Sequence, residues 1–244
     1  MTPEHIKFDS DIEALERLVP LNGRRVVHVG CGDGALSLAL AKRGATVLGV
    51  EVDTEQARVN RASGAAGRLT FVEGFAQNLP QNDGTVDCVV MADFLSRVEA
   101  YDMDDCLTEA CRVLKEIDGL LYVSDYDTSG SYDDMVRMFY DQSAERAWAL
   151  DALLRMPQDI FATAREIHYG LKRQFGDFDA FAGKFMAAGD SDIIVENMNS
   201  EYVRALFEQG RKGNVFEFEQ ARRVNLYRTG IVAPAAPVGQ PAAS

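Results

Sequence analysis

Hydrophobic and polar positions run in two alternating rhythms along the first half of the chain. Ile12, Leu15, Leu18 and Val19 recur at helical spacing after Asp9 and Ser10, either of which suits an N-cap, and Pro20 and Gly23 close that segment. Arg25-Val-Val-His-Val-Gly30 is a short apolar run of the kind buried in a sheet, and Ala35, Leu36, Leu38, Ala39 and Leu40 predict a helix with Gly44 at its C-cap. Thr46 to Val50 predicts the next strand, which ends in Glu51. A helix over 54–62, a strand from Leu69 to Glu73, a turn at Asn82-Asp-Gly84, a strand from Val86 to Met91, a helix over about 102–115 and a strand from Leu120 to Ser124 continue the alternation. Strand–helix–strand order with short crossovers demands parallel pairing and right-handed connections. Five such strands predict an α/β fold, a doubly wound Rossmann-like sheet.

The rhythm changes after Asp127. Residues 130–187 keep helical periodicity and hold many aromatics, among them Tyr132, Phe139, Tyr140, Trp148, Phe161, Tyr169, Phe175, Phe178, Phe181 and Phe185, without a convincing strand. This predicts a helical insertion or lid over 129–198, carried by a core of residues 1–128 and 199–230. Residues 199–209 predict one more helix, and Val215 to Phe218 with Arg223 to Tyr227 a closing antiparallel pair, which brings a mostly parallel sheet to seven strands. The Ala/Pro-rich tail over 231–244 predicts disorder.

Charge narrows the choice of partners. Lys and Arg number 25 against 38 Asp and Glu, a formal net charge of −13. Nucleic acid is a poor partner for such a surface, because binding it requires cations that release counterions from phosphates. Arg204, Arg211, Lys212, Arg222, Arg223 and Arg228 make the C-terminal region locally basic; a solvated face explains them as readily as an anion site does. Cys31, Cys88, Cys106 and Cys111 form neither a Cys-x-x-Cys pair nor a secreted disulfide framework and read as reduced thiols. With no apolar leader and no run long enough to span a bilayer, the expectation is a cytoplasmic protein without membrane insertion.

The chemistry concentrates after the first long strand. In Val29-Gly30-Cys31-Gly32-Asp33-Gly34, alternate glycines sit where the backbone must turn sharply and a ligand must come close to main-chain atoms. Glu51 follows the next strand, about 20 residues on, placed to accept hydrogen bonds from both hydroxyls of a ribose. Loop and acid together predict a nucleoside site. A nicotinamide cofactor fits this geometry too, since Gly30-x-Gly32-x-x-Ala35 satisfies a dinucleotide fingerprint.

Further motifs bear on that choice. Val-Val-His-Val-Gly-Cys-Gly-Asp-Gly (26–34), Gly-Val-Glu-Val-Asp (49–53), Phe-Val-Glu-Gly-Phe-Ala-Gln-Asn-Leu-Pro (71–80), Gly-Thr-Val-Asp-Cys-Val-Val (84–90) and Arg-Val-Leu-Lys (112–115) together resemble class I S-adenosylmethionine-dependent methyltransferases of the small-molecule and quinone-type group, over roughly residues 10–126. The resemblance implies S-adenosyl-L-methionine as cofactor, with Gly30, Cys31, Gly32 and Gly34 passing under its methionine and ribose parts, Glu51 on the ribose and Val52 against adenine. Phe75 replaces the acid that the family often carries before Ala76, and it implies stacking there or recognition of the base through the Ala76 backbone. His28 replaces the acid that usually opens the glycine motif; a histidine satisfied beneath the loop is the simpler reading.

Methyl transfer from a sulfonium asks chiefly for alignment and exclusion of water. Where an acceptor needs a general base, Asp93 at the cleft mouth, Tyr126 and His168 are the candidates, Asp93 also as a cofactor contact. Asp93, Asp125 and Asp127 suit a magnesium site in residue type but lack the flanking motif of one, so no metal is expected. The aromatic lid favours a small planar or apolar substrate. Two other functions stay open: a noncatalytic cofactor- or partner-binding protein, and an NAD-dependent oxidoreductase. A homodimer is compatible with all three.

Overall fold

In the computed structural model, residues 2–62 and 67–230 are described. The elements in chain order are β1 (Glu4–His5), α1 (Asp11–Leu18), β2 (Arg25–Val29), α2 (Ala35–Lys42), β3 (Thr46–Glu51), α3 (Thr54–Ala62), β4 (Leu69–Glu73), β5 (Cys88–Ala92), α4 (Met103–Val113) and β6 (Leu120–Tyr126). There follow α5 (Ser131–Val136), α6 (Ser143–Arg155), β7 (Phe161–Phe175), α7 (Phe178–Ala188), α8 (Val195–Met198), α9 (Glu201–Gln209), β8 (Arg211–Lys212) and β9 (Val215–Thr229). Ser10 caps α1, accepting from the Glu13 amide at 3.2 Å, while Glu13 accepts from the Asp9 amide at 2.6 Å. That reciprocal pair of bonds satisfies amides that the helix cannot.

Among the described residues one sheet holds every strand, in the order β1-β7-β9-β6-β5-β2-β3-β4, with β8 on β9. β4, β3, β2, β5 and β6 are parallel; β9 runs antiparallel between β6 and β7. Setting aside the two-residue strands β1 and β8, this is the expected seven-stranded, mostly parallel doubly wound sheet. Alternate residues of its central strands face opposite ways. Val27, Val29, Val89, Met91 and Leu121 pack on α4 and α6, while Val26, Val47, Cys88, Val90 and Tyr122 pack on the side of α1 and α2.

Two expectations need correction. The segment read as a helical lid contains β7, a strand of 15 residues. Its buried Ile167, Tyr169 and Leu171 do alternate, but the Ala-Thr-Ala-Arg-Glu that precedes them reads as helix, and pairing with β9 overrides that local preference. The expected hairpin of 215–218 and 223–227 is instead the single strand β9. Its middle resembles a turn because it is polar, yet Gln220, Arg222, Arg223 and Asn225 are all buried.

The helical parts of the insertion form a third core. Phe181 is fully buried, with the rings of Tyr132, Phe139, Phe175, Phe178, Phe185 and Phe207 around it at centroid distances of 5.3–6.3 Å. Most of the aromatics of the insertion therefore hold the cap together, whereas Trp148 is half exposed. The tail read as disordered, 231–244, lies outside the described residues.

Candidate functional site

The C-terminal ends of β2 and β3 build the first part of the site. Gly30, Gly32 and Gly34 have φ of 64°, 50° and 78°, the left-handed region that side chains disfavour. A Cβ on Gly30 would lie 2.1 Å from the Phe94 ring, and one on Gly34 would lie 2.5 Å from Phe71. The loop is held at several points: the Cys31 amide donates to the Val50 carbonyl at 3.0 Å, Asn60 Nδ2 to the Gly32 carbonyl at 2.7 Å, and the Gly32 amide to Glu51 Oε2 at 2.7 Å. Glu51 Oε1 accepts from the Asp53 amide at 3.1 Å. The acid picked out by spacing thus sits directly against the glycine loop.

A cavity of about 290 Å³ opens beside it, lined by Gly30, Val52, Phe75, Ala76, Phe94 and Val98, with Gln77, Arg97 and Asp102 at its edge. Val52 and Phe75 leave 54% and 62% of their surface exposed there, an unusual state for two large apolar side chains flanking one opening. Phe94, Arg97 and Val98 were missed by sequence reasoning. They follow β5, and the rule that ligands bind beyond the carboxyl ends of strands, which selected Asp93, applies to them equally.

His28 lies beneath the loop, buried, with Nδ1 2.8 Å from the Ser37 hydroxyl; burial pulls its pKa down to about 4 and keeps the ring neutral. Burial likewise pushes the Cys31 thiol up to about 12, the charge of Glu51 adding to the effect. Neither group brings charge to the loop near neutral pH.

The three proposed bases fare differently. Asp93, at a φ of 52°, turns from the first cavity and accepts from Arg222 Nη1; Arg222 also donates from Nε to Asp11 Oδ1 at 2.9 Å. Loss of water raises the Asp93 carboxyl above its ordinary value, with Arg222 opposing. His168 is on β7, not on a helix, with Nδ1 2.8 Å from Asp127 Oδ2 and Nε2 2.8 Å from Glu166 Oε1. Tyr126 has the Arg222 and Arg146 guanidinium groups 4.3 and 5.5 Å from its ring centre, and its hydroxyl is raised by loss of water. Of the three, Tyr126 lines a second cavity, between sheet and cap, and Arg97 borders both cavities. Among the described residues no group of three or more His, Cys, Asp or Glu is arranged to hold a metal ion.

Comparison with known proteins matches residues 26–117 to the family described as "Methyltransferase domain". The chain is similar to a "Ubiquinone biosynthesis O-methyltransferase" of Xylella fastidiosa, 30% identical over 128 residues, covering 50% of each chain. It is 39% identical over 84 residues to the protein of the same description from Paracidovorax citrulli, covering 32% of this chain and 35% of that one. The chain spans about half or less of the length of these curated relatives. Among solved structures, a protein described as a methyltransferase from an antibiotic biosynthesis pathway of Anabaena variabilis superposes with a TM-score of 0.58 at 19% identity, over 90% of this chain and 96% of that one. The [4+2]-cyclase SpnF superposes with a TM-score of 0.55 at 17% identity, over 90% and 80%. Such distant likenesses carry the fold and not the reaction. Residues 26–117 are therefore similar to the methyltransferase domain family, and the chain around them shares the fold of these solved structures.

Proposed function

We propose that this chain is an S-adenosylmethionine-dependent methyltransferase of a small, planar molecule. The observation that carries the reading is one juxtaposition: a carboxylate, Glu51, 2.7 Å from a glycine-loop amide, beside a cavity flanked by exposed Val52 and Phe75. An adenosyl group asks for these things, an acceptor for its ribose hydroxyls and apolar faces for its base. Glu51 would hold the ribose, Gly30, Cys31, Gly32 and Gly34 would pass beneath it, and Val52, Phe75 and Ala76 would bound the adenine. A bound S-adenosylmethionine supplies a sulfonium methyl that is already electrophilic.

What remains for the protein is to align the acceptor and keep water out. Phe94 lies against Gly30, and Arg97 borders both cavities. Tyr126, which lines the second cavity, would orient an acceptor. Raised by loss of water, its hydroxyl would stay protonated and donate a hydrogen bond to a bound acceptor. Asp93 and His168 are engaged by Arg222 and by Asp127 and Glu166, so they serve as supports in this reading. Among the described residues no helix is long and apolar enough to cross a membrane, and the four cysteines are unpaired, which suits a reducing compartment, the cytoplasm.

Calorimetric titration tests the reading. S-adenosylhomocysteine should bind and NADH should not. Glu51→Ala should weaken S-adenosylhomocysteine by about 10- to 150-fold, equivalent to about 1.5–3 kcal/mol for a charged hydrogen-bond acceptor. NADH binding with S-adenosylhomocysteine rejected would turn the assignment to an oxidoreductase. S-adenosylhomocysteine binding without turnover of any acceptor would favour a noncatalytic binder.

A further inference from the structure

The second cavity has an electrostatic character that the chain as a whole does not. Its volume is about 210 Å³, small beside the roughly 300–1,000 Å³ of drug-sized sites, and suited to one substituted ring. Tyr126, Tyr132, Tyr140 and Phe185 supply aromatic walls. Arg97, Arg146 and Lys184 also line it, and Arg173 joins them through its Nε, which donates to the cavity residue Gln220.

Two acids share this wall, Asp133, whose buried Oδ2 has no hydrogen-bond partner, and Asp190, which meets a neutral phenol. Asp133 pairs with Arg146 at 2.6 Å and with Arg137 at 3.3 Å, and Asp190 accepts from the Tyr140 hydroxyl at 2.6 Å. Among the described residues, no carboxylate lies within ion-pairing distance of Arg97, Arg173 or Lys184. Loss of water and the charge of Arg173 both pull the Lys184 ammonium below its ordinary value, so a negative neighbour is lacking there. Arg146, itself 6% exposed, has a buried Nε without a hydrogen-bond partner. Lys184 and Arg97 on the cavity wall, with Arg173 behind Gln220, make no ion pair among the described residues, although Arg97 acts on Asp190 at longer range. With the orphaned Arg146 nitrogen they give this cavity a positive excess in a chain of net charge −13.

We infer that the second cavity binds an anionic aromatic acceptor, a one-ring compound bearing a carboxylate that meets Lys184 and the arginine side while its ring lies among Tyr126, Tyr132, Tyr140 and Phe185. The inference rests on the methyltransferase reading and deepens it, replacing an apolar acceptor by a planar acid. Arg97 borders both cavities, which places the acceptor next to the proposed adenosyl site.

The test is calorimetric titration of the protein, with S-adenosylhomocysteine present, using the three hydroxybenzoate isomers and their methyl esters. At least one acid should bind about tenfold or more tightly than its ester. Lys184→Gln should erase most of that preference and Lys184→Arg should restore it, whereas a purely structural role for Lys184 would weaken acid and ester alike. Esters binding as well as acids, or neither class binding at millimolar concentration, overturns the inference. Binding of S-adenosylhomocysteine without a preference for the acid overturns it alone; failure of S-adenosylhomocysteine to bind overturns the methyltransferase reading and this inference with it.

Discussion

The two halves of the sheet are built by different means. On the side of β2, β3 and β4, backbone geometry dominates: glycines in the left-handed region, an amide-to-Glu51 bond, a neutral His28 and a protonated Cys31. On the side of β6, β9 and β7, side-chain charge dominates. Arg222 is 1% exposed and reaches from β9 to Asp93 beyond β5 and to Asp11 on α1, and Arg146 is buried with Asp133. One half is shaped to approach a ligand closely with main-chain atoms; the other holds its walls apart with ion pairs and stacked rings. Under the proposed function, the contrast separates a cofactor site fixed by backbone shape from an acceptor site set by which side chains face the cap.

Removing both acid partners of Arg222 tests the seam between the halves. Asp11→Ala with Asp93→Ala leaves a buried guanidinium unpaired and should cost about 3–5 kcal/mol, read by urea denaturation. A loss below 1 kcal/mol would show that the halves are not tied there. Phe181→Ala empties the centre of the third core and should cost about 3–4 kcal/mol. In the fraction that remains folded, S-adenosylhomocysteine affinity should be unchanged; an affinity that collapses in parallel would break the division into halves.

His28 offers a pH test on the backbone-shaped side. Its pKa in the folded protein, about 4, lies below its ordinary value of 6.5, so the unfolded chain takes up the proton first as pH falls. The stability from this group is therefore fully present above pH 6.5 and is lost progressively towards about 4, up to about 3 kcal/mol in all. His28→Gln should flatten that limb of the stability curve between those values; an unchanged limb would assign it to other groups. The smallest expected effect is that of Gly30→Ala, about 1–3 kcal/mol of strain from its φ, with Phe94 forced to move. Weaker S-adenosylhomocysteine binding should accompany it.

Legibility in the sequence followed the same division. The first half of the sheet rests on neighbours close along the chain, so Gly30, Gly32 and Glu51 could be related by spacing alone, and β2 to β6 emerged within a residue or two of their bounds. The other half depends on pairing between β7 and β9, whose partners such as Ile167 and Val224 lie far apart in the chain. No local signal distinguishes Arg222 in a strand from Arg222 in a turn; only the presence of Asp11 and Asp93 around it makes burial tolerable. Asp93 illustrates the limit from the other direction. Its position after β5 is legible in the sequence, but its partner is more than a hundred residues away.

The placement of β9 between β6 and β7 also constrains how the molecule comes into being. Gly119, at the head of β6, bonds to Thr229 across 110 positions, so one edge of β6 has no neighbour until almost the whole described chain exists. During synthesis that edge presents Leu120, Leu121, Tyr122 and Val123 with open backbone donors and acceptors, a template for pairing with any other growing chain. Truncation within β9 should therefore yield aggregates rather than a smaller soluble sheet, and the need for a chaperone should be concentrated in the interval before that strand is made.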